Sequence, residues 1–451
     1  MSALHGVARL PSSRLLGHLQ EFREDRIGLL LRIAQQQPEI AHIDLGVFDL
    51  MVLTSPALVR EMLVDHSEAF HKSLGISIFA APMLGEGLIR SEGEVHKRQR
   101  RLLAPAFMPK RITHYAEVMA VRAAQAATRM AAQGQVDLAD ETMRVTLEIV
   151  GKTLFDAEVG GDAADVNAAL TQAMECMLRT MTANIPIPPA IPTPTNLAYM
   201  RAVRRLDRLI YRMIRERRAS GVARQDVLST LLEVEDDGQR LDDRQVRDEA
   251  MTLFLAGHET TANALAWTLW RLALHGDARE RAVQEVDRVL GGRLPTPDDL
   301  RALPWTLQVI KEAMRLHPPV YMMGRRSTRA VELGGRRFGP RQNFLVNIIG
   351  LHRRPDVFSD PEKFDPERWD AARETPAMRQ AFMPFGGGPR ICIGNHFALM
   401  EAQLVLATWL QRLSFELIDP ARRFESVPLI TLRPKGGVPA RVRARSAAGV
   451  A

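Results

Sequence analysis

The sequence predicts a mainly α-helical fold with a small β-rich portion, built as a single domain over residues 1–451. The first observation behind this prediction is the helical spacing of apolar residues over most of the chain. The second is that short β-like runs are confined to about residues 40–55, 320–347 and 415–442. The third is that no internal repeat or low-complexity linker divides the chain. Hydrophobic residues make up 46% of the sequence, which is enough for one large core.

The N-terminal third is predicted to begin with an amphipathic helix and a β-hairpin. Arg14–Gln36 carries the helical spacing, and the strands Ala41–Leu45 and Leu50–Thr54 follow, joined by a turn at Val47–Asp49. Beyond this hairpin, helical periodicity dominates. Helices are predicted over Pro56–Asp65, Gly93–Ala106, Ile112–Gln133, Asp140–Phe155 and Ala163–Thr180.

A proline-rich loop and a long helix organise the middle of the chain. Residues 185–194 read IPIPPAIPTP, and five prolines in ten residues exclude a helix there. The helix that follows, Asn196–Ser220, carries eight arginines. A helix from about Asp242 to His275 would be roughly 45 Å long and could cross a whole domain. Further helices are predicted over Arg279–Leu290, Trp305–His317 and Asn395–Leu413.

Charge and cysteine content indicate the cellular context. The net charge of +7 is compatible with a nucleic acid, an anionic surface or an acidic protein partner, and composition does not choose among them. The two cysteines, Cys176 and Cys392, indicate a reducing compartment. The best apolar stretch, Ala262–Leu274, is broken by Arg271 and falls short of the ~20 residues that span a bilayer. With no N-terminal signal visible, we expect a cytoplasmic protein without a transmembrane anchor.

The loop at residues 385–394, FGGGPRICIG, matches the pattern FxxGxRxCxG. From average residue frequencies, a chance match has a probability of about one in ten thousand. Gly386–Gly388 allow a tight turn close to a flat ligand, and Cys392 precedes a helix whose N-terminal amides favour a negative sulfur. A thiolate on haem iron favours cleavage of the O–O bond. Cys392 is therefore predicted to bind a haem iron and Arg390 a haem propionate. The alternative is a buried structural cysteine.

This loop is similar to the haem-binding loop of the cytochrome P-450 superfamily. The resemblance extends over about residues 40–440 and implies a triangular, mainly helical fold, with haem b between the long central helix and the cysteine loop. It also implies reductive activation of O2 and insertion of one oxygen atom into an apolar organic substrate. Because the chain ends soon after the last β-hairpins, we expect no fused reductase. Electrons would come from a separate ferredoxin or flavodoxin with its reductase, and no nucleic-acid partner is expected.

The segments KEAMRLHPP and FDPERW carry a second feature of this family. Glu312 and Arg315 are i,i+3 neighbours on one helical face, a spacing that alone is typical of surface ion pairs. Glu285 and Arg288 show the same spacing and are expected to form such a surface pair. In the family, the combination of the two segments implies a network of Glu312, Arg315 and Arg368 under the haem. Its role would be folding and haem retention.

The long central helix contains the sequence AGHETT at residues 256–261. Glycine in a helix interior costs ~1 kcal/mol relative to alanine, so Gly257 requires an explanation such as close approach of the cofactor. The pair Glu259–Thr260 resembles the acid–alcohol site of the family. Thr260 would hydrogen-bond to the activated dioxygen, and Glu259 would relay protons to it. The alternative is a helix-packing glycine beside a solvated glutamate.

Three further residues are predicted to hold the haem propionates. His96 and Arg100 lie four residues apart in GEVHKRQRRLLAPAF, where many members of the family have a tryptophan and a propionate-binding arginine. Arg325, in HPPVYMMGRR, resembles the propionate-binding arginine that follows the first proline-rich strand. The adjacent Arg326 leaves open which of the two contacts the haem. For His96, the alternative is a basic, solvated helix face.

The sequence defines the class of substrate less closely than it defines the type of reaction. The candidate pocket segments are rich in methionine and isoleucine, which favours an apolar substrate and an adaptable site. These segments are Gly75–Leu88, Met174–Pro192, Leu253–Thr260, Val320–Met323 and Val427–Thr431. Fatty acids, terpenoids, steroids and polyketides are all compatible with them. Two other functions stay open: a peroxide-driven haem-thiolate enzyme, and a non-catalytic haem sensor, for which no residues remain to form an output module.

Overall fold

A computed structural model describes residues 6–12, 16–46, 48–221, 224, 226–233, 235–236, 239–422 and 425–445. Most of these residues are helical, and small sheets of two to five strands accompany the helices. This arrangement confirms the predicted mainly α fold with a small β-rich portion. Across the described ranges, no helix combines the length and the apolar character that crossing a membrane requires.

The longer helices agree with the predicted ones to within a few residues at most ends. The first nine are α1 (Leu19–Glu24), α2 (Arg26–Gln36), α3 (Pro56–Arg60), α4 (Ala81–Leu84), α5 (Gly93–Leu103), α6 (Pro109–Gln133), α7 (Leu138–Phe155), α8 (Ala163–Met181) and α9 (Pro194–Ser220). The others are α10 (Val227–Glu233), α11 (Asp243–Leu274), α12 (Gly276–Leu290), α13 (Pro304–Leu316), α14 (Ile348–Leu351), α15 (Pro376–Ala381) and α16 (Asn395–Arg412). The short helices α4, α10, α14 and α15 were not predicted.

The strands form one five-stranded sheet, one three-stranded sheet and three hairpins in the described part of the chain. The large sheet has the order β1-β2-β10-β7-β3, with β2 and β10 parallel and the other pairs antiparallel. Its strands are β1 (Ile40–Leu45), β2 (Phe48–Leu53), β3 (Phe70–Lys72), β7 (Met323–Ser327) and β10 (Asn343–Val346).

The smaller sheets lie mostly in the second half of the chain. The three-stranded sheet has the order β11-β14-β4, and the hairpins pair β5 with β6, β8 with β9 and β12 with β13. Their strands are β4 (Gln135–Asp137), β5 (Glu235–Asp236), β6 (Gln239–Arg240), β8 (Val331–Leu333), β9 (Arg336–Phe338), β11 (Leu413–Leu417), β12 (Ser426–Pro428), β13 (Leu432–Pro434) and β14 (Pro439–Ala444). Strands β3 and β4 were not predicted, because three residues are too few to show a period of two.

The first predicted helix is interrupted at Asp25. Its backbone angles (φ −141°, ψ 66°) leave the helical region, and its carboxylate accepts a hydrogen bond from Gly28 N at 2.9 Å, which caps α2. The predicted single segment is therefore two helices, because an aspartate at this position caps a new helix better than it continues the old one. Arg14 in the predicted helix and Val47 in the predicted turn lie outside the described residues.

The long helix α11 runs through the core. Buried residues occur on all of its sides, unlike the single apolar stripe of a surface helix. A capping box fixes its start, with Asp242 accepting from Gln245 N at 2.7 Å and Gln245 accepting from Asp242 N at 3.0 Å. Helices α7, α13 and α16 pack against it. Because α16 begins just after Cys392, this packing places the cysteine loop beside α11.

Candidate active site

The cysteine loop makes a turn that requires glycine at Gly388. Its φ is +66°, and a Cβ there would lie 1.9 Å from Leu63 O. Gly386 also has a positive φ, of +73°. Cys392 N donates to Phe385 O at 3.0 Å, which closes the loop. The predicted tight turn is confirmed, and it presents Cys392 at the end of the loop.

Cys392 is a free thiol whose accessible surface lines a cavity. The protein atoms packed around it desolvate the sulfur, which raises the pKa of the Cys392 thiol. The backbone amide of Gly394 and the charge of Arg100 lower that pKa only in part. Burial therefore outweighs the stabilisation of a negative sulfur that the sequence suggested. A bound metal cation would supply the missing stabilisation.

A cavity of about 770 Å³ lies between the cysteine loop and α11. Cys392 lines it from the loop, and Ala256 and Thr260 line it from α11. Much of the remaining wall is aliphatic, aromatic or thioether. Representative side chains are those of Ile76, Phe79, Met83, Met177, Leu253 and Met323. The cavity thus has a wall for a flat cofactor at the thiol and apolar walls for a substrate.

Five basic side chains from distant parts of the sequence line this cavity. They are Lys72, His96, Arg100, Arg325 and Arg390. The acid that faces them is Glu92, which forms an ion pair with Arg390 and accepts from Lys72 N at 2.6 Å. Arg390 Nη1 is buried without a hydrogen-bond partner in the described ranges. The cluster therefore has excess positive charge and unused donor capacity.

Strand register decides which of the two adjacent arginines reaches the cavity. The antiparallel pairing of β3 and β7 places Lys72 opposite Arg325 and His71 opposite Arg326. Since successive side chains of a strand point to opposite faces, Lys72 and Arg325 share one face. Arg325 is 5% exposed and lines the cavity, whereas Arg326 donates to Arg341 O on the exposed side. The structure places Arg325, and not Arg326, at the cavity.

Burial among like charges perturbs these basic groups. Burial, with Arg325 and Arg390 nearby, lowers the pKa of Lys72 to about 7. Burial and the same kind of repulsion lower the pKa of His96 to about 3 and that of Arg325 to about 10. An anion among these residues would relieve the repulsion. The two propionates of haem would supply it beside a thiol ligand, so the residues present fit this group.

On α11, the predicted acid–alcohol pair lies at the cavity. Thr260 Oγ1 donates to Ala256 O at 2.8 Å. Glu259 is 4% exposed, and its Oε1 accepts from Thr431 Oγ1 at 2.5 Å and from Arg433 Nη2 at 2.9 Å. The alternative of a solvated glutamate is therefore wrong. Glu259 is a buried carboxylate in an ion pair.

Helix packing explains Gly257. A Cβ at this position would lie 3.1 Å from Val150 Cγ2 of α7, tighter than an ordinary van der Waals contact. The helix-packing alternative therefore accounts for this glycine. Gly257 also lines the cavity. The small residue therefore affects both the packing of α11 against α7 and the wall of the cavity.

The predicted contacts among Glu312, Arg315 and Arg368 are confirmed. Glu312 and Arg315 are fully buried, and two contacts join them, at 2.7 and 2.8 Å. Arg368 Nε lies 3.4 Å from Glu312 Oε1, and Trp369 Nε1 donates to Glu312 Oε2 at 2.9 Å. Arg315 Nη1 also donates to His352 O at 2.9 Å. Side chains from α13 thus hold the irregular segment that precedes the cysteine loop.

Glu285 does not belong to a surface pair, contrary to the prediction. Its carboxylate is buried and accepts from Trp305 N at 2.8 Å and from Thr306 N and Oγ1 at 2.8 and 2.7 Å. Trp305 and Thr306 lie in the first turn of α13, so Glu285 caps the helix that carries Glu312. The residue spacing within α12 gave no indication of this contact with α13.

A family model for cytochrome P450 matches residues 9–438. The chain belongs to the cytochrome P450 family. Cyclooctatin synthase of Streptomyces melanosporofaciens is 36% identical over 401 residues, which cover 88% of this chain and 85% of that protein. Cyclooctat-9-en-7-ol 5-monooxygenase of the same organism is 36% identical over 87% of this chain and 86% of its own. Pentalenene oxygenase of Streptomyces avermitilis is 32% identical over 83% of each chain.

As a cytochrome P450, the chain is an oxygen-incorporating oxidoreductase with a haem-thiolate cofactor. It is a monooxygenase that hydroxylates apolar substrates, using O2 and electrons from redox partners. These findings confirm the family, fold class and reaction type expected from the sequence.

Three residues of this P450 site escaped sequence reasoning: Lys72, Glu92 and Arg433. Lys72 lies in a strand too short to recognise, and the other two contact partners roughly 170 to 300 positions away in sequence. Thr431 ends a predicted pocket segment, but its hydrogen bond to Glu259 was not predicted. Glu92 could have been considered from the sequence, because it immediately precedes the GEVH segment that contains the predicted propionate contact His96. No local pattern indicates the pairing of Glu259 with Arg433.

Proposed function

We propose that this P450 hydroxylates a cyclic terpenoid, with haem b as its cofactor. The observation that carries the proposal is the 36% identity, over nearly the whole chain, to two enzymes named for cyclooctatin and cyclooctat-9-en-7-ol. The similarity to pentalenene oxygenase points to the same substrate class. A second, independent support is the apolar cavity, whose walls suit a substrate with few polar groups.

Methionines give this cavity an adaptable surface. Seven of them line it: Met83, Met174, Met177, Met181, Met314, Met322 and Met323. An unbranched thioether side chain fills irregular gaps without the fixed shape of a branched residue. Such walls would pack closely around a rigid ring system, which cannot adjust its own shape to the protein.

Cys392 and the basic cluster would hold the haem. The Cys392 sulfur would bind the iron, and Lys72, Arg325 and Arg390 would contact the propionates as charged donors. His96 and Arg100 would complete the contacts as further hydrogen-bond donors. When bound, the haem supplies activation of dioxygen and transfer of one oxygen atom.

Thr260 and Glu259 would direct protons to the reacting oxygen. The Thr260 hydroxyl, which bonds to Ala256 O at 2.8 Å, can rotate toward the cavity and hold an ordered water there. Glu259 would replenish its protons, a general-acid role. Because Arg433 pairs with Glu259 at 2.9 Å, a proton reaches this carboxylate only when the ion pair loosens.

The redox partner is proposed to be an acidic ferredoxin or a flavodoxin. Arg100 Nη1 donates to Ile391 O at 2.8 Å, which ties α5 to the cysteine loop. The exposed basic residues Lys97 and Arg101 of α5 would therefore lie near that loop. Lys97 also pairs with Glu94 at 2.9 Å, which compensates part of its charge. An acidic partner docking here would bind more slowly as salt screens the charges.

A binding screen on the haem-loaded enzyme tests the substrate class. The panel contains cyclic terpene hydrocarbons and alcohols on one side and saturated fatty acids, steroids and polyketides on the other. We expect cyclic terpenoids to shift the haem spectrum at the lowest concentrations and to give hydroxylated products. Tighter binding and faster oxidation of a linear fatty acid would overturn the proposal.

A second assay separates the monooxygenase from a peroxide-driven enzyme. Turnover with reduced ferredoxin and O2 is compared with turnover in hydrogen peroxide alone, using the same terpenoid. The Glu259–Thr260 pair favours the first route, because activation of O2 requires two protons, whereas hydrogen peroxide already carries them. Faster product formation with peroxide than with ferredoxin would favour the alternative.

A further inference from the structure

Arg26 is a buried arginine to which no role has been assigned above. It is the first residue of α2 and is 2% exposed. Among the residues that the structure describes, its guanidinium has no carboxylate partner, in contrast to Arg32 of the same helix, which pairs with Glu21. A guanidinium buried without an acid loses its hydration and gains no counter-ion, which is costly. Its neutral hydrogen-bond partners must offset this cost.

The partners of Arg26 are oxygen atoms of a tyrosine and of a turn. Arg26 Nη1 donates to Pro428 O at 2.7 Å and to Tyr321 Oη at 3.0 Å. Tyr321 Oη in turn donates to Leu429 O at 2.8 Å. An Nη atom of arginine can donate twice, and a hydroxyl can accept and donate at once, so these bonds form together. Hydrogen bonds in such a chain polarise and strengthen one another.

These bonds fix one end of the turn at residues 429–431, which joins β12 to β13. The other end is fixed from α11, because Trp267 Nε1 donates to Leu432 O at 3.0 Å. Ile430 lies between these two anchors and lines the cavity. The position of the Ile430 side chain in the cavity therefore depends on both anchors.

The ring of Phe22 orients the guanidinium toward the turn. The guanidinium carbon of Arg26 lies 4.4 Å from the centroid of this ring, a cation–π contact. Phe22 belongs to the same small apolar core as Leu29 and Tyr321, so it is held in place without this contact. The planar donor group is thus fixed between a ring and the carbonyl oxygen atoms that it binds.

We propose that Arg26 is a positioning residue that determines which carbon atom of the substrate is oxidised. It acts through Tyr321 and the carbonyl groups of the turn, which hold Ile430 against the substrate. An apolar substrate has few hydrogen bonds to orient it, so the shape of the cavity wall decides which carbon atom faces the haem. Arg26 lies behind this wall and does not itself line the cavity.

The inference rests on the hydroxylation of a substrate in this cavity, and it does not depend on the terpenoid class. The probes are a bicyclic sesquiterpene hydrocarbon and hexadecanoic acid, each incubated with the haem-loaded enzyme and reduced ferredoxin. The readout is the ratio of the hydroxylated isomers, which is independent of how much folded enzyme a variant yields. Preference for hexadecanoic acid would overturn the terpenoid proposal and leave this test intact.

Two substitutions weaken the anchor to different extents. Arg26→Met removes the donors and keeps an apolar stem, whereas Tyr321→Phe removes the hydroxyl alone. In Arg26→Met the isomer ratio should change by roughly threefold or more, below the ~10-fold or larger effect of altering a direct pocket contact. Tyr321→Phe should change the ratio in the same direction but less, because Arg26 Nη1 still donates to Pro428 O.

A double variant tests the route, and a second arginine provides the control. If Arg26 acts through the turn, Arg26→Met should change the ratio no further in the Ile430→Ala background. Arg217→Met is the matched control, since Arg217 is also buried and donates to a backbone oxygen, Phe155 O, at 2.8 Å. Neither of these two residues lines the cavity. Arg217→Met should lower the thermal stability and leave the isomer ratio unchanged.

Should Arg26→Met fail to retain haem, Tyr321→Phe decides the matter through the same ratio. A wild-type isomer ratio in Tyr321→Phe would overturn the proposal. So would an equal change of the ratio in Arg217→Met, or a further change when Arg26→Met is added to Ile430→Ala.

Discussion

Lys72 and Arg325 stand directly opposite each other on β3 and β7, and both side chains line the cavity that Cys392 faces. Residues 253 positions apart thereby place two cations on one face of the sheet. Their mutual repulsion contributes to a pKa of about 7 for Lys72. An anionic group, such as a haem propionate, would relieve this repulsion.

Lys72→Met should weaken haem binding. A hydrogen bond between charged groups contributes about 1.5–3 kcal/mol, so the affinity should fall by roughly ten- to a hundredfold. The extent to which haem transfers to a competing haem-binding protein measures this change in affinity. His71→Gln is the matched control, because His71 pairs with Arg326 and is exposed. Equal haem loss in both variants would contradict the assignment.

Above neutral pH, Lys72 should take up a proton when haem binds. In the cofactor-free chain, the pKa of Lys72 is about 7, so the amine is neutral at higher pH. A propionate beside it would restore the charged form. The affinity for haem should therefore be highest below about pH 7 and should fall above it by at most about tenfold per pH unit. Haem titrations between about pH 6 and pH 9 measure this slope, and Lys72→Met should flatten it. A flat wild-type profile would argue against a propionate at Lys72.

Glu312→Ala should destabilise the enzyme strongly. Removing Glu312 leaves Arg315, which is fully buried, and Arg368 without their shared carboxylate, at a cost of about 3–5 kcal/mol. Thermal unfolding and haem content after purification report the loss. Glu367→Ala is the control, since Glu367 forms exposed pairs with Arg281 and Arg373 worth about 0–1 kcal/mol. Normal haem content in Glu312→Ala would show that the network is dispensable.

Sequence patterns predicted the local features of the site and missed those that depend on register. The glycine-rich loop with Cys392 and the Glu259–Thr260 pair are contiguous motifs, and both lie at the cavity. The choice between Arg325 and Arg326 depends on how β7 pairs with β3, which adjacent residues cannot reveal. Lys72 was missed for the same reason, because its place at the cavity depends on the pairing of β3 with β7.

Contacts of buried acidic side chains with other segments were the second kind of feature that the sequence patterns missed. Glu259 was expected to be available for proton relay, but Arg433 from β13 holds it. Glu285 looked like a surface residue by spacing and proved to cap α13. In both cases the partner is set by tertiary packing, and only the residue type was readable from the sequence.

Thr260→Ala should uncouple the enzyme. The substitution removes the hydroxyl at the cavity and leaves Cys392 untouched, so substrate binding and cofactor consumption should persist. Product formed per reduced cofactor should fall by about tenfold or more, with the difference appearing as peroxide. Thr260→Ser, which restores the hydroxyl, should recover most of the coupling. Wild-type coupling in Thr260→Ala would exclude this hydroxyl from proton delivery.

Arg433→Leu should lower the coupling of the enzyme. Glu259 would stay buried but lose the ion-pair partner that holds its carboxylate in place. Product formed per reduced cofactor should therefore fall, with the difference appearing as peroxide. Wild-type coupling in Arg433→Leu would exclude a role for this ion pair in proton delivery.

The most direct test of the account is the spectrum of the reduced, carbon monoxide-bound protein, in wild type and in Cys392→His. If Cys392 provides a thiolate to the haem iron, the wild type should show the red-shifted Soret band of thiolate-ligated haem. Cys392→His should lose that band even where haem stays bound through Lys72, Arg325 and Arg390. A wild type without the band, or a variant that keeps it, would contradict the central claim.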